Sequence, residues 1–302
     1  MNSNLQHKTA TPLFSTFALG LWRLSSWNLN TDKLLSLINQ CLEAGLNTFD
    51  HADIYGNYTC EELFGKAIDK KSSLRSNMIL VSKCGIKLVS EKRPGHKIKA
   101  YDTSKKHIIQ SVENSLKALK TDYLDVLLIH RPDPLMDADE IAVAFTYLRE
   151  KGMVLHFGVS NFLPFQFDLL QSRLGFGLIT NQIEASVMTI DAFLNGVLDQ
   201  CQQFRIKPMA WSPLAGGELF HSHDEKAHKL RILLDEIGKQ SGEYSLDQVA
   251  LAWLLKHPSG IIPVLGIGNF NRITKALEAE KLNLTPEQWY KIWVVSSGAE
   301  LP

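Results

Sequence analysis

The run MILVSK, residues 78–83, is apolar through four consecutive positions before it meets Ser82 and Lys83. An antiparallel strand with one wet face alternates apolar and polar residues, whereas a strand buried on both faces reads as a nearly continuous apolar run. Residues 78–83 therefore predict a strand of a covered parallel sheet. DVLLIH at 125–130 reads the same way. Working outward, similar short runs lie at 17–20, 48–50, 154–160, 178–184, 207–212 and 260–265, which makes eight. Between them lie helical candidates at 32–44, 61–71, 103–119, 138–151, 164–174, 191–204, 245–257 and 271–279. Gly45 stands where the first of these helices needs a left-handed C-terminal residue, and Ser245 opens the seventh as an N-cap with Asp247 in its first turn.

Eight apolar strands alternating with helices imply a parallel sheet covered on its outer face. No GxGxxG follows the first strand, so an open dinucleotide-binding sheet lacks its best marker. The expected fold is α/β, a (β/α)8 TIM barrel forming one domain over 1–302. Insertions are expected at 86–102 and 214–244, the second carrying one short extra helix, with a short C-terminal tail at 284–302. In such barrels the loops after the strand C-termini build the active site, so both insertions belong to the functional face.

The chain has 302 residues, 45% of them hydrophobic, enough for a large core. Its 32 Lys and Arg balance 32 Asp and Glu. That balance argues against a protein built to coat nucleic acid or an anionic membrane, each of which needs a basic excess. The cysteines at 41, 60, 84 and 201 are too scattered for a zinc site or a disulfide framework. Residues 1–18 lack the basic and apolar regions of a secretion signal, and no apolar stretch reaches the ~18 residues needed to span a bilayer. A soluble cytoplasmic protein without metal is the expectation, either a monomer or a weak homo-oligomer.

Four polar residues sit at or just past the ends of successive strands: Asp50 and Tyr55 in FDHADIYG (49–56), Lys83 in LVSKCG (80–85) and His130 in LLIHRPDP (127–134). A phenol has an ordinary pKa near 10 and is a poor acid at neutral pH. A lysine ammonium beside it, anchored by a carboxylate, favours the phenolate and would lower that pKa. An imidazole can orient a carbonyl and stabilise charge growing on its oxygen. Tyr55 as acid, Lys83 as its tuner, Asp50 as anchor and His130 as the orienting donor form a site for reducing a carbonyl. The hydride must come from a cofactor, since no side chain supplies one.

These motifs, together with Glu62, Gly65 and Ala67, Ser160-Asn161 in FGVSNF (157–162) and Gln182 in NQIEAS (181–186), resemble those of the aldo-keto reductases, in the same order and over nearly the whole chain. The resemblance implies a (β/α)8 barrel that binds NADPH extended, without a Rossmann domain, and acts on a small-molecule carbonyl substrate. It implies that Ser160, Asn161 and Gln182 hold the nicotinamide carboxamide, that Trp211 stacks on the ring, and that Ser212, Leu214 and Gly216 belong to the loop over the pyrophosphate. The segment IIPVLGIGNFNRITKAL (261–277) departs from the family pattern. Gly266 and Ile267 stand where a Lys-Ser pair is usual, and Lys275 and Ala276 replace Glu-Asn. Arg272 remains to pair with a 2′-phosphate and stack on adenine, and Gly268 and Asn269 offer amide groups at a helix start.

Trp22 belongs with the cofactor set, and with Trp27, Tyr58 and Phe220 it suggests a partly apolar pocket. Arg131, directly after His130, can bind an acidic group, but its expected role is a salt bridge at the barrel rim, and Cys84 is expected to be a small buried residue. A second reading is a cofactor-binding regulatory subunit resembling potassium-channel β subunits. A third, a Schiff-base aldolase using Lys83, leaves Ser160, Asn161, Gln182 and Arg272 without a role.

Overall fold

In the computed structural model, which describes residues 14–301, the apolar runs close into a parallel barrel. In chain order the strands are β1 (Ala18–Gly20), β2 (Thr48–Asp50), β3 (Ile79–Cys84), the two strands of a small antiparallel ribbon, β4 (Ile86–Lys87) and β5 (Ala100–Tyr101), then β6 (Leu124–Ile129), β7 (Val154–Ser160), β8 (Asn181–Glu184), β9 (Met209–Trp211) and β10 (Ile262–Leu265). Around the barrel the order is β1-β10-β9-β8-β7-β6-β3-β2. Ala18 pairs with Val264 on one side and Thr48 on the other, so first and last strands meet.

The helices are α1 (Thr31–Glu43), α2 (Cys60–Asp69), α3 (Lys105–Leu119), α4 (Ala138–Glu150), α5 (Pro164–Gln171), α6 (Asp191–Leu194), α7 (Val197–Phe204), α8 (Glu218–His221), α9 (Glu225–Gln240), α10 (Leu246–Leu255), α11 (Phe270–Leu277) and α12 (Pro286–Ser297). The expected helix 191–204 is two, because Gly196 takes φ 81° between them. The insertion 214–244 carries more than one short helix. After a 3-10 turn at Ala215–Gly217 come α8 and the 16-residue α9, whose buried Ala227, Leu230, Leu234 and Ile237 give it a helical apolar stripe. The insertion 86–102 folds back through the β4–β5 ribbon.

Side-chain parity decides what faces the barrel axis. Ile79, Val81, Val126, Leu128, Met209, Ile262 and Val264 form the inner cluster. Their neighbours Leu80, Cys84, Leu127, Ile129 and Ala210 belong to the layers between barrel and helices. Successive strand residues point to opposite faces, so Lys83, His130 and Trp211 continue the inward rows of Val81, Leu128 and Met209. Asp50, Ser160 and Gln182 share that parity, since Phe49, Val159 and Ile183 pack outward. The C-terminal ends of the strands thus deliver these side chains to one end of the barrel.

The tail is part of the body of the protein. The Trp289 indole of α12 stacks on Trp253 of α10 at 5.0 Å and 12°, and each indole N–H donates to the other's backbone carbonyl, at 3.2 and 3.0 Å. Among the described residues no helix is long and apolar enough to cross a membrane, no cluster of ligands could hold a metal, and all four cysteines are free and buried. Residues 1–13, most of the stretch read for a secretion signal, lie outside the described residues, as does Pro302.

Candidate active site

Lys83 is the centre of the site. Its ammonium donates to both oxygens of Asp50 at 2.8 Å, to the His51 carbonyl at 2.7 Å and to the half-buried Tyr55 hydroxyl at 3.0 Å, with the Lys83 and Asp50 side chains enclosed. Asp50 also accepts from the Gln182 amide at 2.8 Å. A buried ion pair is tolerable only when its remaining valences are met, and here they are. Tyr55 reaches the lysine because the chain turns sharply after β2. The Tyr55 carbonyl accepts from Thr59 and Cys60 at the start of α2, and Gly56 takes φ 57° where an added Cβ would lie 2.6 Å from the Cys60 sulfur. The His130 ring stands edge-on to the phenol, centroids 5.9 Å apart.

The protonation states follow from burial. Desolvation pulls on the Lys83 ammonium, but Asp50 and Tyr55 outweigh it and hold its pKa above the usual lysine value. Burial also pushes the Tyr55 phenol up, and Lys83 opposes this without prevailing. The expected net lowering of the phenol is therefore corrected: without a substrate, Tyr55 holds its proton firmly. Burial, aided by repulsion from Lys83 and Arg131, drives His130 well below its ordinary value and keeps the imidazole neutral.

Beside this group the Ser160 hydroxyl donates to the Gln182 carbonyl at 3.0 Å, the Asn161 amide donates to Ser160 at 2.7 Å, and the Trp211 indole N–H donates to Asn161 at 2.9 Å. Asn161 is not a helix cap; Leu163 occupies that position before α5, and Asn161 itself takes φ 61°. Gln182 turns its amide N–H to Asp50, which leaves its amide oxygen as the atom available to a ligand. All of these line one cavity of about 1100 Å³ with Asp50, Tyr55 and His130 at its base. The cavity runs past Ser212, Leu214, Gly216 and Gly217 to Ser245, Gly266, Arg272 and Lys275. Ser212 and Gly216 adopt left-handed backbone at φ 50° and 64°, and Arg23 ties the two sides of the mouth by donating to the Gly216 carbonyl at 3.1 Å.

Several expectations change. Gly268 does not line the cavity; an added Cβ there would lie 2.5 Å from the Trp27 ring. Asn269 caps α11, its side-chain oxygen accepting from the Arg272 amide at 3.1 Å. Trp22 and Phe220 line the cavity, whereas Trp27 packs on Gly268 and Tyr58 lies under Arg93 with its hydroxyl accepting from the Leu88 amide. Among the described residues Arg131 makes no rim salt bridge. Its guanidinium lies over the Trp211 ring at 5.4 Å and lines the cavity. Cys84 is buried, its thiol raised well above the usual range by burial, which suits an inert residue. Ile86, Lys99 and Tyr101 of the 86–102 insertion line the cavity, as expected of that face, with Lys275 joining Arg272; Arg23 and Ile54 carried no signal in the sequence.

Comparison with known proteins follows the same line. The model of the aldo/keto reductase family matches residues 16–295. An uncharacterized oxidoreductase of Bacillus subtilis, YcsN, is 50% identical over 289 residues, covering 96% of each chain. A 6-dehydroglucose reductase of Agrobacterium fabrum is 41% identical, covering 95% of this chain and 96% of its own. The solved structure of a thermostable aldo-keto reductase, Tm1743, bound to the inhibitor epalrestat, matches with a TM-score of 0.80 at 26% identity, covering 98% of this chain and 99% of that one.

Proposed function

The chain belongs to the aldo/keto reductase family, and from that premise we propose that it reduces aldehyde and ketone carbonyls to alcohols with NADPH, Tyr55 giving the proton. The observation that carries this reading is the chain Asp50–Lys83–Tyr55, whose phenol opens into the cavity of about 1100 Å³ that reaches Arg272 and Lys275. NADPH, when bound, supplies the hydride.

This chain's own residues do the rest. His130, neutral and edge-on to Tyr55, holds the substrate carbonyl oxygen against the phenol. Tyr55 donates its proton as negative charge grows on that oxygen, and the ammonium of Lys83, 3.0 Å away, stabilises the phenolate left behind. Asp50 keeps Lys83 charged through the cycle. The residues fit the cofactor by their chemistry. The free oxygen of Gln182 and the hydroxyl and amide of Ser160 and Asn161 suit a carboxamide, which needs donors and acceptors together. The Trp211 indole, fixed by its bond to Asn161, offers a face for the nicotinamide. At the far end Arg272 and Lys275, three apart on α11, offer two cations to a 2′-phosphate.

Oxidised sugars are the first substrates to screen, given the name of the Agrobacterium relative. Titration with NADPH should quench tryptophan fluorescence at low micromolar concentration, with NADH weaker. Tyr55→Phe should keep that binding and lose about 100-fold or more in turnover, the usual reach of a positioned general acid. Undiminished turnover in Tyr55→Phe would refute the mechanism, and a protein that binds neither nucleotide would refute the reductase reading. Tight nucleotide binding without turnover of any carbonyl would favour the regulatory-subunit alternative.

A further inference from the structure

The cations around the cavity are not alike. Lys83 is spent on Asp50 and Tyr55, and Arg23 on the Gly216 carbonyl. In the basic stretch 86–102, Lys87 pairs with Asp102, Lys92 with Glu62, and Lys97 donates to the Pro94 carbonyl. Arg131 and Lys99 differ. Both line the cavity at the end that holds Tyr55, His130, Ile54, Ile86 and Tyr101, and neither forms an ion pair or hydrogen bond among the described residues. Asp50, the carboxylate lining that end, is already claimed by Lys83.

Arg131 is half-buried and always charged, directly after His130 and before Pro132. A following proline confines a residue to extended backbone, which fixes where its side chain starts. The guanidinium lies over the Trp211 indole at 5.4 Å, so one planar face is occupied and its N–H edge is left for a partner. Glu184, which feels this charge, forms no ion pair with it, and burial holds the Glu184 carboxyl above the usual range. A half-buried guanidinium without an anion leaves its charge uncompensated, and its planar fork of donors matches a carboxylate or phosphate.

We propose that Arg131, supported by Lys99 at the pocket mouth, selects carbonyl substrates that carry an anionic group, a carboxylate or a phosphate, beside the reacting aldehyde or ketone. The inference rests on the reductase reading above. It makes Arg131 a specificity-determining residue that grips the non-reacting end of the substrate, with Tyr55 and His130 at the carbonyl.

The test compares kcat/KM for matched pairs with NADPH: 4-oxobutanoate against butanal for the carboxylate, and glyceraldehyde 3-phosphate against glyceraldehyde for the phosphate. The wild-type protein should favour the charged member of at least one pair by about tenfold or more, the size of a charge-assisted hydrogen bond, and the pair that responds identifies the anion. Arg131→Met, which keeps an apolar stem against Trp211, should collapse that ratio, and Arg131→Lys should restore part of it. Lys99→Met, in an exposed segment, should lower the ratio less and keeps the test available if Arg131→Met fails to fold. Added salt should erode the ratio in wild type and not in Arg131→Met. Reduction of the neutral aldehydes without preference for either charged partner overturns this inference and leaves the reductase intact. A ratio unmoved in Arg131→Met assigns Arg131 to the support of Trp211 and also overturns it. Failure to reduce either charged compound overturns this inference, and the reductase reading falls with it only if the protein also binds neither nucleotide.

Discussion

His51 stands next to the Asp50 carboxylate, fully buried, with both ring nitrogens unpartnered among the described residues and its edge against Phe64 at 4.6 Å. Burial, with repulsion from Lys83, lowers its pKa to about 3. An unfolded histidine titrates near about 6.5. Above that pH neither state binds the proton and His51 adds no pH dependence to stability. As the pH falls below it, the unfolded chain takes up a proton that the folded chain refuses, so stability falls by up to about 1.4 kcal/mol per pH unit until the folded pKa is reached. His51→Leu should make the decline in unfolding free energy between about pH 6 and about pH 4 shallower by about 1 kcal/mol per unit. Parallel declines in denaturant titrations would contradict this account. Asp50, Lys83 and His130 were legible in the sequence because each ends or follows an apolar run on the inward parity. That His51 is an orphan and Arg131 unpaired was not legible, since a sequence names a charge but not its partner.

At the scale of elements, the loop between β10 and α11 shows how distant segments meet. An ordinary Cβ at Gly268 would press on the Trp27 indole from the segment after β1. Gly268→Ala should displace the loop that carries Gly266 and Ile267 along the cavity, at a cost of about 1–3 kcal/mol for overpacking. NADPH affinity should drop several-fold, and the second change Trp27→Leu should recover it. A Gly268→Ala protein with unchanged affinity and melting temperature would show that the indole yields freely. The reading of Gly268 as an amide donor came from its neighbours in the chain, and a clash across the barrel leaves no local mark. The break at Gly196 is similar, for an amphipathic stretch with one internal glycine reads as a single helix. The stripe of α9, by contrast, stood in the sequence at helical spacing and was underestimated.

For the whole molecule, closure makes every strand both neighbour and support, so the barrel follows from counting eight buried runs. The role of the tail does not follow, because periodicity in 286–297 says that a helix forms there and not where it docks. Phe193, Trp253, Trp289 and Trp293 pack as one aromatic group, with Trp289 stacked on Trp293 at 5.6 Å and 15°. Removing the chain after Asn283 would lose the Trp253–Trp289 stack, the contacts of Phe193 with Trp289 and Trp293, and two indole hydrogen bonds, about 3 kcal/mol or more, and would expose Trp253. The shortened protein should unfold at lower denaturant and bind hydrophobic dyes before it does. Unfolding at the wild-type midpoint would mean that α12 only decorates the surface.

The arrangement of the indoles divides the protein's emission between two reporters. Of the six tryptophans, Trp22 and Trp211 line the mouth and Trp27 packs behind it, while Trp253, Trp289 and Trp293 form the stacked group, apart from the cavity lining. Stacked indoles at this spacing couple their intense far-ultraviolet transitions, and where those transitions are skewed the pair gives a signed dichroism that a lone indole lacks. Nucleotide entering the groove should dim emission and leave that couplet standing, whereas loss of the fold should abolish the couplet. One unlabelled sample can therefore be followed for occupancy in one optical channel and for integrity in the other.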